Sequence, residues 1–139
     1  MIPVSLCENA AAIWFHEPVL VLQAIAKVEG GWKGARVADA NGTADHGLMQ
    51  INSVWRNRLH RMGWHMHTVQ WHNCASVFTG AWILRQELDA SHHFWLGVAW
   101  YQSRNPAYGL PFAKKVYRAA WHIHYGAQHV RQYRRVAEP

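Results

Sequence analysis

The amino-acid sequence predicts a predominantly α-helical protein built as a single lobe. Through most of the 139 residues apolar side chains recur at three- and four-residue spacing, and no strand-like alternation is sustained. Half of the chain is hydrophobic and 16% is charged, which excludes a disordered polypeptide. At this length roughly two-thirds of the unfolded surface can be buried, enough for one core. The longest run without a polar residue is Phe94 to Tyr101, well short of the ~20 residues a membrane span requires. No internal repeat or low-complexity tract is present.

The elements follow in order. Ala10 to Phe15 form a short apolar stretch, ended by His16-Glu17-Pro18. Pro18 fits the first turn of a second helix, with Glu17 favourable beside its positive end. Val19, Leu22, Ile25 and Ala26 keep helical spacing up to Glu29, where Gly30-Gly31 stops the helix. Residues 30–46 are loop-rich, and Asn41-Gly42 is the clearest turn signal, so a turn or small hairpin is expected there. Gly47 to Asn52 is expected to begin another helical segment, continuing irregularly through Arg61 to Gly63. Asn73 is placed as the cap of a helix whose core face is Val77, Ala81, Leu84 and Leu88. Phe94 to Gln102 reads as a largely buried helix, Pro106 to Pro111 as a connection, and Phe112, Val116, Ala120 and Ile123 as the stripe of the next helix. The folded domain is placed at residues 1–125. Residues 126–139, with Arg131, Arg134 and Arg135 and no core face, read as a basic tail, solvated or facing a partner.

The net charge is +6 and the pI about 9.8, which suits anionic partners such as nucleic acid, anionic lipid or a cell-wall polymer. Lys114, Lys115 and Arg118 are interleaved with Tyr117, Trp121, Tyr125 and Tyr133, but no groove-reading motif accompanies them, so specific nucleic-acid binding is not expected. The nine Trp are assigned mostly to packing. The near-paired histidines (His65 and His67, His92 and His93, His122 and His124) read as surface or packing residues, and no metal or other cofactor is expected. Cys7 and Cys74 are compatible with two buried thiols or with a bridge in an exported chain; a zinc site of Cys74 with His72 and His67 matches no established ligand spacing. The first residues lack the charged start and apolar length of a secretory leader, which points either to an internal protein or to a processed form with a starting Met. Val4-Ser5-Leu6-Cys7 is no lipid-attachment box, because Leu6 is too large at the cleavage position.

Eight carboxylates are available for chemistry. Glu8 and Glu138 lie near the termini, Glu17 serves a helix start, and Glu87 and Asp89 flank Leu88 on a polar helix face suited to solvated ion pairs. Asp39 and Asp45 occupy a loop where side chains often bond local backbone. Glu29 differs: it ends the most apolar helix and is followed at once by a backbone break. Apolar surroundings and the negative end of the helix dipole both disfavour its ionisation. A carboxyl kept protonated near neutral pH can act as a general acid.

Four ordered blocks extend this reading. They are Leu22-Gln23-Ala24-Ile25-Ala26-Lys27-Val28-Glu29 with Gly30-Gly31; Gly47-Leu48-Met49-Gln50-Ile51-Asn52 after Asn41-Gly42; Asn73-Cys74 followed by Gly80-Ala81-Trp82-Ile83-Leu84; and Gly97-Val98-Ala99-Trp100-Tyr101-Gln102-Ser103 followed by Pro106. Over roughly residues 7 to 118 the chain resembles the lysozyme-like (SLT-type) lytic transglycosylases, and more closely the specialised transglycosylases of conjugation, secretion and type IV pilus machines. The resemblance implies a single lysozyme-like lobe with a short loop or small hairpin after the catalytic residue. It implies Glu29 as the single catalytic acid, with Gln50 and Asn52 on the cleft wall and Asn41 on the loop opposite. Tyr101 would face Glu29, and Met49 would belong to the core or the cleft floor. It also implies a Cys7–Cys74 disulfide, and hence a periplasmic or cell-envelope location. The chain departs from the family in Gly30, where many members have Ser, and in Gln102, where Asn or His is usual.

By the same resemblance the substrate is the glycan of peptidoglycan, cut non-hydrolytically between N-acetylmuramic acid and N-acetylglucosamine, with a transport apparatus as the expected partner. Two other functions stay open at this point. One is a lysozyme-type hydrolase using Asp45, sixteen residues after Glu29, as a second carboxylate; the other is a weakly active glycan-binding assembly component. Trp32 and Trp100 are the residues expected to stack on sugar rings.

Overall fold

The structure, a computed structural model, describes the backbone of residues 2–137 and the side chains of residues 2–126. It is predominantly α-helical. Helices α1 (Val4–Phe15) and α2 (Val19–Glu29) lead into a small antiparallel sheet of β1 (Arg36–Ala38), β2 (Ala44–His46) and β3 (Ile51–Asn52), in that spatial order. A 3₁₀ turn (Ser53–Trp55) follows, then α3 (Arg56–Arg61), α4 (Met66–Trp71), α5 (Asn73–Ser91), α6 (Phe94–Gln102) and α7 (Pro106–Ala137). Helix α5 packs between α1 and α6, while α2 and α6 lie along α7. Leu22, Ile25, Met49, Ile51, Leu59, Leu84, Val98 and Val116 are fully buried in one continuous core. No described helix is long and apolar enough to cross a membrane.

Cys7 and Cys74 form a disulfide, with Cα atoms 5.3 Å apart and a sequence separation of 67. It fastens α1 to the first turn of α5, and closing a loop of that length stabilises the fold by about 4 kcal/mol on the chain-entropy account. With its sulfur in that bond, Cys74 is no zinc ligand. A second fastening lies at the other end of α5, where Arg85 donates from Nη1 to the carbonyls of Phe15 and His16, both at 3.2 Å. These bonds fix the corner between α1 and α2.

Both the hairpin suggested by Asn41-Gly42 and the α6 bounds match the expectation. Other segments differ for identifiable reasons. Gly47 to Asn52 is not helical but a tight turn running into β3. Its backbone groups are taken by other elements: the Met49 amide donates to Ser76 Oγ (2.9 Å), and the Met49 carbonyl accepts from Tyr101 Oη (3.0 Å). Gln50 adopts a left-handed φ of 52°, which a helix would not allow. Asn73 is the first helical residue rather than the cap, and its Oδ1 is buried without a hydrogen-bond partner. Pro106 to Pro111 is the start of α7, not a connection. Pro111 sits inside that helix at the loss of one intrahelical bond, the one its absent N–H would have made to Ala107. Helix α4 answers to no sequence expectation. Helix α7 continues through residue 125 to Ala137. The side chains of Arg131, Tyr133, Arg134 and Arg135, on which the tail reading rests, lie outside the described residues.

Candidate active site

Glu29 is the last residue of α2, and Gly30 caps the helix in the left-handed region (φ 64°), its amide donating to Ala26 O at 3.1 Å. A Cβ on Gly31 would overlap the carbonyl oxygens of Gly47 and Leu48. The Gly47–Gln50 turn therefore rests directly on the chain that leaves Glu29, which is why Gly follows Gly here. Gln50 Nε2 closes the turn onto Gly47 O (3.0 Å), and the two Met49 bonds described above tie it to α5 and α6. Three elements with no sequence proximity thus hold one carboxyl and one turn in register.

The resulting cleft encloses about 650 Å³. Glu29, Asn41, Asp45, Gln50, Asn52, Tyr101 and Gln102, all singled out in the sequence, line it together. Their roles divide. The Asn52 amide is fully used: Nδ2 donates to Asp39 Oδ2, Thr43 Oγ1 and Asp45 Oδ1, each at 3.0 Å, and Oδ1 accepts from the Val54 amide at 3.0 Å. It braces the hairpin rather than offering a free group. Asn41 Oδ1 accepts from the Thr43 amide (3.1 Å) and Thr43 Oγ1 (2.6 Å), as a turn residue does. Tyr101 donates its hydroxyl to Met49 O and stacks on Phe112, with ring centroids 6.0 Å apart. Met49 is core.

Burial pushes the Glu29 carboxyl up to about 8, and the negative charges of Asp45 and then Asp39 push in the same direction. Sequence reasoning identified the desolvation; it placed Asp39 and Asp45 in a loop suited to local backbone bonds and kept Asp45 open as a second carboxylate, but gave neither a part in raising Glu29. Both accept from Asn52 across the sheet, Asp39 also accepts from Thr43 Oγ1 at 3.2 Å, and both line the cleft. Asp45 is itself raised, chiefly by burial, against the lowering bond from Asn52. The Tyr101 phenol is raised well above its usual range, first by burial and then by the charge of Glu29, so it stays a neutral donor. Glu29 accepts no hydrogen bond among the described residues, which leaves its proton available to a ligand.

The lining also includes Trp55, Glu87, Trp100, Arg104 and Tyr108. Glu87 is not the solvated acid its helix face suggested; its side chain is 7% exposed and pairs with Arg104 at 3.1 Å. The Arg104 guanidinium lies over the Trp100 ring, 4.5 Å from its centroid, so Glu87, Arg104 and Trp100 form one wall. Only the juxtaposition of α5 and α6 reveals it. Of the two tryptophans expected at the sugar, Trp100 lines the cleft, whereas Trp32 is 59% exposed and lies outside its lining.

Comparison with known proteins agrees with this geometry. The transglycosylase SLT domain family matches residues 6–110. Protein IpgF of Shigella flexneri is 31% identical over 117 residues, covering 81% of this chain and 77% of its own length. Invasion protein IagB of Salmonella typhimurium is 32% identical over 116 residues, covering 83% of this chain and 72% of its own. The match spans the helix that ends in Glu29, the turn that rests on it and the α6 wall opposite. The chain belongs to the transglycosylase SLT domain family and is a lytic transglycosylase.

Proposed function

We propose that Glu29 is the single acid–base group of a peptidoglycan lytic transglycosylase that cleaves the β-1,4 bond between N-acetylmuramic acid and N-acetylglucosamine without water. The observation that carries this is a carboxyl whose burial raises it to about 8, lining a cleft of about 650 Å³. Glu29 gives its proton to the glycosidic oxygen, and the bond to the muramoyl anomeric carbon breaks. The resulting carboxylate then takes the proton of the muramoyl 6-hydroxyl as that oxygen attacks the same carbon. A 1,6-anhydro ring forms, the proton returns to Glu29, and the atoms balance with no water consumed. The second step is intramolecular, so proximity supplies several kcal/mol of the barrier reduction. Positive charge developing on the sugar is met by its own acetamido group and by the nearby Asp45 and Asp39 carboxylates.

Gln50 and Gln102 are the amides proposed to bind glycan hydroxyl and acetamido groups, with Asn41 at the hairpin rim, and Trp100 is the stacking surface. Asn52 and Tyr101 act as positioning residues, through the hairpin and the Met49 turn respectively. A periplasmic or envelope location is supported by the Cys7–Cys74 disulfide, which persists in oxidising compartments. A role in opening the wall locally for a transport machine is supported by the name of the invasion protein among its relatives.

Asp45 favours a second reading, because it lines the same cleft and its charge reaches Glu29. As a second carboxylate it would position water, and the products would carry reducing muramic ends. Mass spectrometry of products released from sacculi separates the readings. Muropeptides ending in 1,6-anhydromuramic acid, absent with Glu29→Gln, are expected; reducing ends would assign hydrolysis, and no released product would assign a binding role.

A further inference from the structure

Strand β2 serves two sides of its sheet. Asp45 lines the cleft, while the next residue, His46, lines a separate cavity of about 360 Å³, as the alternation of side chains along a strand requires. Arg36 of β1 stands opposite His46 in the strand register and lines the same cavity, with Arg56 and His60 of α3. No Asp or Glu lines it among the described residues. Among the described residues ion pairs are made by Arg85 and Arg104, so neither Arg36 nor Arg56 is neutralised by a carboxylate. This is a concentration of uncompensated positive charge within a few residues of the acidic cleft.

The base of the cavity is more specific than its rim. His46 is 2% exposed. Gln70 donates from Nε2 to the Gly34 carbonyl (3.0 Å), which leaves its Oε1 to accept from His46 Nδ1 (3.0 Å). The imidazole proton is thereby assigned to Nδ1. The other ring nitrogen, Nε2, is buried and has no hydrogen-bond partner. A buried polar atom without a partner, in a residue lining a cavity rimmed by guanidinium groups, asks for a ligand. With the proton on Nδ1, Nε2 is an acceptor, so a fitting ligand brings it a donor and brings negative charge to the two arginines; a phosphate that carries one P–OH does both.

We infer that this cavity is a phosphate site, in which the guanidinium groups of Arg36 and Arg56 hold the anionic oxygens of one phosphate group behind the sheet and His46 Nε2 accepts from its P–OH. Guanidinium forks suit the oxygen geometry of a phosphate, and the P–OH supplies the donor that an ionised carboxylate lacks. The groups that face His46 from neighbouring elements are the two arginines, His60, His65 at the start of α4 and His67 within it, none of them acidic. The acid next to it in sequence, Asp45, lines the cleft on the other side of the sheet, so a phosphate held here leaves the glycan cleft unobstructed.

The test titrates inorganic phosphate into the full chain at pH 6 while the histidine ring signals are followed by NMR. Saturable shifts centred on His46 are expected, weakened about tenfold or more in Arg36→Gln and in Arg56→Gln. Both are surface substitutions whose thermal unfolding and glycan-cleaving activity should match wild type. Binding that does not saturate, or that is unchanged in both variants, overturns the site. A parallel arm sediments the protein with vesicles of phosphatidic acid and phosphatidylcholine, against phosphatidylcholine alone. Vesicle binding lost in the same variants supports the site and assigns a lipid headgroup. Phosphate binding without vesicle binding supports it and assigns a soluble or wall-borne phosphate.

Discussion

Two glutamates bracket α2, and they ionise alike while doing different things. Glu17 lies one residue before the N-cap Pro18 and Glu29 ends the helix; burial raises each to about 8. Glu17 is 7% exposed, with both carboxyl oxygens unpartnered, and it does not line the cleft. Arg85 lowers it and Asp89 raises it, so its surroundings partly cancel. Glu29 opens onto the cleft, and both of its charged neighbours, Asp45 and Asp39, act in the same direction as burial. A displaced pKa marks desolvation in either case. What separates a chemical site from a buried structural acid is access to a ligand-sized space, together with a specific charge arrangement.

The largest expected effect breaks the pair apart by activity. Glu29→Gln should lower release from sacculi by at least ~10²–10⁴-fold with thermal unfolding unchanged, as loss of a general acid requires. Glu17→Gln should stay within about threefold of wild type. Comparable losses in both would dissolve the distinction drawn between them.

Stability reads the opposite way. An acid whose folded pKa exceeds its unfolded value binds its proton more tightly in the folded state. Stability is then greatest below about pH 4.5 and falls as pH rises towards 8. Each such group contributes a slope of up to about 1.4 kcal/mol per pH unit in that window. Denaturant midpoints measured from pH 5 to 8 should decline in wild type and decline less steeply in Glu17→Gln.

Asp45→Asn sharpens the electrostatic half of the comparison. In the proposed mechanism activity depends on protonated Glu29, so kcat/KM should fall as pH passes about 8. Removing the Asp45 charge should move that fall to lower pH, while the rate on the acidic side stays within about tenfold. A collapse of a hundredfold or more at every pH would instead make Asp45 a catalytic partner. The smallest effect is expected from Tyr101→Phe, which keeps the stacking on Phe112 but removes the bond to the Met49 carbonyl. A loss of about 1 kcal/mol in unfolding free energy should accompany a modest fall in kcat.

Much of this molecule was legible before folding. Apolar spacing placed α2, α5 and α6, and Asn41-Gly42 announced the hairpin, because these signals are local and repeat with the helix or turn period. Glu29 stood out for the same reason: its helix and its break lie within a few residues of it. The Gly47–Asn52 turn was misread as helix because its conformation is set by Ser76 and Tyr101, 27 and 52 residues from Met49. Glu87 and Arg104 were missed as a wall because they meet only across α5 and α6.

By itself, then, the sequence determined the helical class, the helix that delivers Glu29 and the choice of Glu29 as the proposed acid, since each depends on neighbours along the chain. The tertiary structure decided what that acid faces. It turned Asp39 and Asp45 towards Glu29, committed Asn52 to bracing rather than binding, and buried Glu17 where no ligand reaches it. Those outcomes depend on which distant side chains share a low-dielectric space, and periodicity along a chain carries no record of that.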